Sequence, residues 1–470
     1  MKAGAKTIGI FDRTLSGLRG ALVDVARVAR GPFSRGLRAD LPDDDAQRLR
    51  AQIAECLAEK GGVVSARARA IALGREYLAL DAQARIRFLT ILAEEFDVNH
   101  EAVRANAQAL VSAPSGATRL RLEAELRRSL VAPRSKLLQH LNAVPDGLKF
   151  LIDLRADLLA QAGGKGVLAG LERDLRDLLA TWCDVGFVNL RRITWSEPAA
   201  LLEKLIAYEA VHEIRSWQDL HNRLDSDRRC FAFIHPRMPL EPLIFVEVAL
   251  VQGLATNIHV LLDETAPVLN PHEADTAIFY SISNAQKGLA GISMGEFLIK
   301  RVVEELKREF PNLKTFATLS PVPGFRHWLD ERIQNQAPTL FDDADRKLLH
   351  AAGVEPADER GLVAFLAAQP GMRYAVASAL MKLCAHYLVN EKREDGIRAR
   401  DPVAHFHLTN GAQLAQINSG ANAAPAGERT AYGLMVNYLY RLSDIERNVD
   451  AYAENGHVAV AKPVRALMIS

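Results

Sequence analysis

The residues that decide the fold are 276–320, TAIFYSISNAQKGLAGISMGEFLIKRVVEELKREFPNLKTFATLS. Thr276–Ile282 and Lys314–Ser320 are short runs rich in β-branched and aromatic residues, which predicts two strands. Between them, apolar residues from Gly295 to Glu309 recur at helical spacing, and Pro311 follows where a helix must stop. The stretch therefore predicts a strand–helix–strand crossover.

The sequence around this crossover predicts more strands and helices. Cys230–His235 and Leu243–Val251 are apolar runs of strand length, and Ala375–Asn390 has its apolar residues on one helical face. Val403–Leu408 alternates apolar and polar residues, which predicts a strand. Ser443–Glu446 has the pattern of a capping box and predicts the start of the last helix. The back half of the chain is therefore expected to hold a mixed sheet covered by helices.

The front half has a different pattern. From about Asp43 to Trp182 apolar residues recur at helical spacing, with Asp81 as an expected N-cap and Gly61 and Gly62 where a helix would stop. A chain of 470 residues also exceeds what one core usually serves. We expect an α+β protein with a basic N-terminal extension (1–40), an all-α helical bundle (41–185) and a mixed-sheet α/β domain (186–470).

Composition narrows the class of protein. Lys and Arg number 58 against 57 Asp and Glu, so the net charge of +1 argues against nucleic acid or a membrane surface as a partner. The four cysteines lack metal-site spacing, and the longest apolar run is too short to span a bilayer. We expect a cytoplasmic protein without a metal. Residues 1–40 hold six arginines and three acids, a bias that leaves organelle import open.

A glycine-rich turn joins the predicted strand to the predicted helix of the crossover. Ser283–Gly295 supplies Gly288, Gly291 and Gly295, with Lys287 beside them. Backbone amides and the N-terminus of the helix could bind a phosphate there. However, the spacing matches neither a P-loop nor a dinucleotide fingerprint, and an ordinary connection between strand and helix explains the glycines equally well.

Two polar residues close apolar runs. Ser320 ends a predicted strand before the stiff turn Pro321–Gly324, a place that suits a catalytic hydroxyl, although such a serine often only caps the next helix. His407 lies on the strand predicted at residues 403–408, ahead of the hairpin-type pair Asn410-Gly411. A single histidine on a strand is more often structural.

Taken together, eight motifs follow one another in an order that resembles the malonyl-CoA decarboxylase family. They are Val185–Trp195, Glu241–Leu243, Ala277–Ser283, Gln286–Ile292 leading into Phe297–Val303, Leu319–Phe325, Ala385–Leu388, Asp401–Leu408 with Asn410–Ala412, and Gly433–Tyr440. The resemblance implies a helical oligomerisation domain before a GNAT-like catalytic domain, a homotetramer, and conversion of malonyl-CoA to acetyl-CoA and CO2.

The resemblance also implies site residues. Ser320 and His407 match the family's catalytic pair, and Tyr440 matches a tyrosine near the site. The substrate-binding residues that it implies are Gln286, Gly288, Ala290, Gly291, Ile292, Ser293, Met294, Gly295, Glu296 and Asn410. Ser293 stands where some members carry a functional glutamate, so that role is not carried over to this chain. Ser419 likewise replaces an aromatic residue of the family.

The implied reaction needs no cofactor, because the thioester carbonyl of malonyl-CoA can accept the electrons that CO2 leaves behind. In this hypothesis backbone donors stabilise the enolate, Ser320 bonds to His407 and holds the malonyl carboxylate, and the imidazole gives the proton, since its ordinary pKa lies near neutral pH. The alternatives are a GNAT-type acyl-CoA N-acyltransferase and a helical scaffold that only binds CoA.

Overall fold

The computed structural model describes residues 36–162, 166–292 and 294–468, so most of the predicted basic extension lies outside the described residues. The chain forms two compact units. The first comprises the described residues up to Val188 together with residues 235–241 and 286–292. The second comprises Asn189–Ile234, Pro242–Ala285 and the described residues from Met294 onward.

The first unit is helical over its main segment, as predicted. The Asp81 side chain accepts a hydrogen bond from the Ala84 N–H and so begins a helix at the expected place. The first helix ends at Leu57, and the next begins at Gly62, after Gly61 in the left-handed region. The helices are α1 (Asp43–Leu57), α2 (Gly62–Ala79), α3 (Ala82–Glu95), α4 (His100–Val111), α5 (Ala117–Ser129), α6 (Pro133–Asn142), α7 (Gly147–Ala162) and α8 (Ala169–Trp182).

The second unit is built on a mixed sheet of eight strands in the order β1-β2-β3-β4-β5-β8-β6, with β7 paired to β8. Among the strand pairs of the described residues, β4 and β5 run parallel and the other pairs are antiparallel. The strands are β1 (Asn189–Ile193), β2 (Arg228–Ile234), β3 (Pro242–Val251), β4 (Thr276–Asn284), β5 (Thr315–Thr318), β6 (Ser320–Pro321), β7 (Gln413–Asn418) and β8 (Met435–Leu439).

The predicted crossover is confirmed, because the helix between the parallel strands β4 and β5 spans Gly295–Glu309. A right-handed helical connection is the usual way to join such strands. The remaining helices are α9 (Ala199–Tyr208), α10 (Trp217–Arg223), α11 (Ile258–Leu261), α12 (Gly295–Glu309), α13 (Phe325–Gln334), α14 (Asp343–Ala351), α15 (Glu359–Ala368), α16 (Ala377–Val389), α17 (Pro402–Thr409), α18 (Pro425–Ala431), α19 (Ile445–Asn455) and α20 (Lys462–Met468).

The strand predicted at residues 403–408 is wrong, because His407 lies on helix α17. The Asp401 side chain accepts from the N–H groups of Val403 and Ala404, both at 2.9 Å, and Pro402 occupies the first helical position. This aspartate and proline start a helix whatever the alternation that follows. The hairpin turn predicted at Asn410-Gly411 is wrong for the same reason, since Asn410 caps the end of this helix.

The predicted capping box at Ser443–Glu446 is also wrong. Asp444 is the N-cap, and its helical backbone conformation brings no side-chain cap bond. The Ser443 hydroxyl instead donates to the Asp444 carboxylate at 3.3 Å. Helix α19 follows, but α20 comes after it, so it is not the last helix. In the described part of the chain, no helix is long and apolar enough to cross a bilayer.

Candidate active site

Strand β8 fixes the position of Ser320 in the sheet. Ser320 pairs with Val436, and Asn437, which is completely buried, donates from Nδ2 to the Thr318 carbonyl oxygen at 2.7 Å and the Ala255 carbonyl oxygen at 3.0 Å. Thr318 and Ser320 are two residues apart on an extended chain, so their side chains lie on the same face. The Ser320 hydroxyl donates to Thr318 Oγ1 at 2.8 Å.

One carboxylate begins the helix that carries His407 and also contacts the turn after Ser320. Asp401 Oδ1 caps α17, while Oδ2 accepts from the Gly324 N–H and the Tyr387 hydroxyl, each at 3.4 Å. Burial raises the pKa of Asp401, and the N–H groups that it accepts from oppose that rise. Asp401 therefore couples the position of the histidine to the position of the serine.

Ser320, His407 and Tyr440 form one hydrogen-bonded chain. The Ser320 Oγ lies 3.0 Å from His407 Nε2, and His407 Nδ1 lies 2.7 Å from the Tyr440 hydroxyl. The imidazole also stacks on Tyr438, with ring centroids 4.5 Å apart. All three residues of the chain are buried, with 2–6% of their surface exposed. The hydrogen bond predicted between Ser320 and His407 is therefore present.

The direction of the protons follows from counting donors. Ser320 has one hydroxyl proton and gives it to Thr318, whose oxygen also accepts from the Tyr438 N–H at 3.2 Å. Ser320 must then accept from His407, so the imidazole carries its proton on Nε2. His407 Nδ1 is consequently an acceptor, and the Tyr440 hydroxyl donates to it. The chain is oriented to pass a proton from tyrosine through histidine to serine.

Burial sets the charge of this chain. It lowers the pKa of His407 to about 3 and raises that of Tyr440 well above its usual range. At neutral pH both side chains are therefore uncharged. The expectation that the imidazole of His407 has its ordinary pKa near neutral pH is wrong. Within the described residues, no charged side chain hydrogen-bonds to Ser320, His407 or Tyr440. A neutral chain of this kind can deliver a proton to a group that contacts Ser320.

A cleft of about 210 Å³ reaches Tyr440. Asn410 and Thr409, at the end of α17, line it together with apolar residues of α12 and α19. The Asn410 amide donates to the Phe406 carbonyl oxygen at 2.6 Å, so its side chain is held against its own helix. Asn410, predicted to bind substrate, thus lies beside the tyrosine.

The glycine-rich turn divides between the two units. Gln286, Gly288, Ala290, Gly291 and Ile292 belong to the helical unit. There Gln286 is buried and donates to Glu241 at 3.4 Å, whereas Ala290 and Gly291 are exposed. The amides of residues 289, 290 and 292 donate within the turn. Ser293 lies outside the described residues.

Met294 and Gly295 belong to the sheet unit and begin α12. A Cβ atom at Gly295 would lie 2.4 Å from the Phe406 ring, so glycine allows α12 to approach the helix of His407. The side chain of Glu296 lies outside the described residues. No group of three or more His, Cys, Asp or Glu residues in the described ranges could hold a metal ion.

Sequence reasoning missed three residues that support the hydrogen-bonded chain. Thr318 could have been found, because it precedes Ser320 by two positions on one strand. Asp401 could also have been found, because Asp-Pro is a common helix start. Asn437 gave no signal, since its partners Thr318 and Ala255 lie 119 and 182 residues away in sequence.

Comparisons with known proteins agree with this architecture. Residues 186–470 match the malonyl-CoA decarboxylase C-terminal domain, and residues 96–183 match the N-terminal domain. The mitochondrial malonyl-CoA decarboxylase of Mus musculus is 35% identical over 460 residues, which cover 92% of this chain and 90% of that protein. That of Anser anser anser is 36% identical over 414 residues, 83% of this chain and 81% of that protein.

Solved structures give the same result. A malonyl-CoA decarboxylase crystal structure from Agrobacterium vitis superposes with a TM-score of 0.80 and 38% identity, covering 90% of this chain and all of that one. One from Rhodopseudomonas palustris has a TM-score of 0.79 and 40% identity, covering 89% of this chain and 99% of that one. This chain therefore belongs to the malonyl-CoA decarboxylase family.

Proposed function

We propose that this protein converts malonyl-CoA to acetyl-CoA and CO2, and that Ser320, His407 and Tyr440 supply the proton. The observation that carries the proposal is the buried, uncharged chain of hydrogen bonds that ends on Ser320. Membership of the family supports the substrate. Ser320 is the member of the chain that we assign to the malonyl group.

The reaction breaks the bond between the α-carbon and the malonyl carboxylate. The electron pair moves to the α-carbon and is shared with the thioester oxygen as an enolate, while CO2 leaves. One proton must then reach the α-carbon to give acetyl-CoA. No electron acceptor other than the substrate's own thioester is needed, so we propose that the enzyme uses no cofactor and that a chelator leaves its activity unchanged.

The proton reaches the enolate through the chain. The Ser320 hydroxyl turns from Thr318 to the α-carbon, His407 Nε2–H replaces the serine proton, and Tyr440 replaces the proton of the imidazole. A thioester enolate is a far stronger base than a phenolate, so the transfer is downhill even though burial raises the pKa of Tyr440. The cleft at Tyr440 gives water a route to restore the lost proton.

An N-acyltransferase accounts for less of the site. Such an enzyme needs a base to accept a proton from the attacking amine. Here Ser320 is bonded to an imidazole that already carries its proton on the facing nitrogen, and the pKa of that imidazole is lowered to about 3. The arrangement therefore favours giving a proton over taking one.

The test is incubation of the purified protein with malonyl-CoA in the absence of any amine. We expect CO2 and acetyl-CoA in equal amounts. Free CoA that forms only after an amine is added would support the acyltransferase instead. A shift in melting temperature with malonyl-CoA but without turnover would support a scaffold that only binds CoA.

The remaining parts of the proposal concern the ligand-binding turn, the assembly and the location. We propose that Gln286, Gly288, residues 290–296 and Asn410 bind the substrate, that the protein is a homotetramer, and that it acts in the cytoplasm. Light scattering tests the assembly, and a monomer would contradict it. Fractionation of the source cells tests the location, because relatives carry a mitochondrial designation.

A further inference from the structure

A buried arginine of the helical unit supports the glycine-rich turn. Arg155 lies on α7, and only 2% of its surface is exposed. Its Nη1 donates to the carbonyl oxygens of Gly288 at 2.6 Å and Ala290 at 2.9 Å. Its Nε and Nη2 donate to the Glu172 carboxylate on α8, at 3.1 and 2.7 Å. One guanidinium thus joins two helices to two peptide groups of the turn.

These bonds determine where one amide of the turn points. The Ala290 carbonyl and the Gly291 N–H belong to the same trans peptide plane, so they point in opposite directions. Because Arg155 holds the carbonyl inward, the Gly291 N–H is directed outward. Gly291 is exposed, has a φ of +75°, and finds no acceptor for its N–H among the described residues. As far as the described residues show, this N–H can donate to a ligand.

Gly288 limits how the turn can move on α7. A Cβ atom at Gly288 would lie 1.8 Å from the Ile152 carbonyl oxygen, so the turn backbone rests directly on the helix. Ile152 and Arg155 are three residues apart and lie on one face of α7. The helix therefore fixes the turn by close packing at one residue and by charged hydrogen bonds at two carbonyls.

This arrangement suits an anionic ligand. Carbonyl oxygens repel phosphate groups, and Arg155 gathers two of them on the inner side of the turn. Glu172 balances the charge of the arginine, which a buried guanidinium requires. Arg155 therefore helps an anionic ligand by directing the amide toward it and by holding the two carbonyl oxygens away from it. It does not act as an unpaired positive charge.

We propose that Arg155 is a positioning residue that sets the affinity for the phosphate-bearing part of the CoA thioester by directing the Gly291 N–H. This inference rests on the proposed function, because it assigns the turn to the CoA ester. It predicts that substitution of this residue of the helical unit changes KM and leaves the rate of the chemical step nearly unchanged.

The chain offers a matched control in Arg134. This arginine is equally buried in the same unit, donates from Nε to Asp174 of α8 at 2.7 Å, and donates from Nη1 to the Ala93 carbonyl oxygen at 2.8 Å. Among the described residues, Arg134 makes no hydrogen bond to the glycine-rich turn. Arg134→Met therefore removes a comparable set of bonds without releasing a carbonyl of the turn.

The experiment measures kcat and KM for malonyl-CoA, and acetyl-CoA binding by calorimetry, in wild type, Arg155→Met and Arg134→Met. Arg155→Met is expected to raise KM and the acetyl-CoA Kd by about 10-fold or more while kcat stays within about threefold. Arg134→Met is expected to lower the melting temperature to a similar extent and to leave KM within about twofold of wild type.

Three results would overturn the inference. They are an unchanged KM and Kd in Arg155→Met, an equal rise in Arg134→Met, and a loss confined to kcat. If Arg155→Met does not fold, Arg155→Lys decides, because lysine keeps the charge but cannot form the fork of bonds. An unchanged KM in that variant would also overturn it. A wild-type protein that binds acetyl-CoA without releasing CO2 would contradict the proposed function, and the binding data would still test Arg155.

Discussion

The hydrogen-bonded chain at Ser320 and the glycine-rich turn differ in how they use charge. Ser320, His407 and Tyr440 are neutral and, within the described ranges, make no hydrogen bond to a charged side chain. The turn is held by an ion pair, Arg155 with Glu172. Under the proposed function, protonation of the enolate uses buried, uncharged donors, whereas binding of the anion uses a backbone that is fixed in one direction.

Both regions nevertheless fix the backbone with one buried ionisable side chain. Asp401 accepts N–H groups and begins the helix of His407, and Arg155 donates to carbonyls and orients the Gly291 peptide. In each case the ionisable side chain contacts the backbone, and under the proposed function other groups contact the substrate. Substitutions should therefore separate kcat at the first region from KM at the second.

The largest expected effect is on kcat in His407→Gln. Glutamine can bond to Ser320 but cannot pass a proton from one side to the other, so kcat should fall about 10²–10⁴-fold. The acetyl-CoA Kd should stay within about threefold, because the turn is untouched. Steady-state kinetics with calorimetry measures both. Turnover near the wild-type rate would remove the imidazole from the proton route.

A second substitution, Gly288→Ala, acts on the turn alone. Its methyl group would collide with the Ile152 carbonyl oxygen, so the turn must shift away from α7. KM should rise about 10-fold or more and kcat should change little, since a hydrogen bond to a charged group contributes roughly 1.5–3 kcal/mol. Gly371→Ala is the control, because a Cβ atom there meets nothing within 4 Å. Equal KM values in the two variants would contradict the role of the turn.

A smaller effect is expected when Tyr440→Phe removes only the hydroxyl that donates to His407 Nδ1. The imidazole then loses the hydroxyl that replaces its proton, and kcat should fall only about 10-fold, because water in the cleft at Tyr440 can still supply a proton. Tyr374→Phe changes an exposed tyrosine and should leave kcat unchanged. A Tyr440→Phe variant as active as wild type would place the source of the proton elsewhere.

The smallest expected effect is the response of kcat to pH. Because burial lowers the pKa of His407 to about 3, the imidazole stays neutral throughout the neutral range. The kcat should therefore vary by less than about twofold between roughly pH 6 and 8. A profile that falls with an apparent pKa near that of an ordinary histidine, about 6.5, would show that the imidazole titrates during turnover.

The sequence predicts the central crossover because its strand and helical patterns each persist over several residues and because proline marks the end of the helix. The change from strand to helical spacing and Pro311 place α12 at Gly295–Glu309. The pattern at residues 403–408 predicts a strand for His407, but two alternations in so short a run carry less weight than the cap that Asp401 forms. Here the local hydrogen bonds of Asp401 outweigh the pattern.

Long-range contacts explain what the sequence could not predict. Arg155 lies 133 residues before Gly288, and a lone arginine on a helix normally indicates a solvated face. The pKa of His407 depends likewise on complete burial, which a single sequence does not reveal. The three residues of the hydrogen-bonded chain could be named from their motifs, but the direction of their protons depends on Thr318.

The rate of CO2 release by Ser320→Ala, with the acetyl-CoA Kd determined on the same preparation, decides whether the hydrogen-bonded chain delivers the proton. Removing the hydroxyl at the end of the chain should lower kcat at least about 100-fold, while the Kd stays within about threefold of wild type. Release of CO2 at the wild-type rate, with acetyl-CoA still formed, would contradict the claim that this chain delivers the proton.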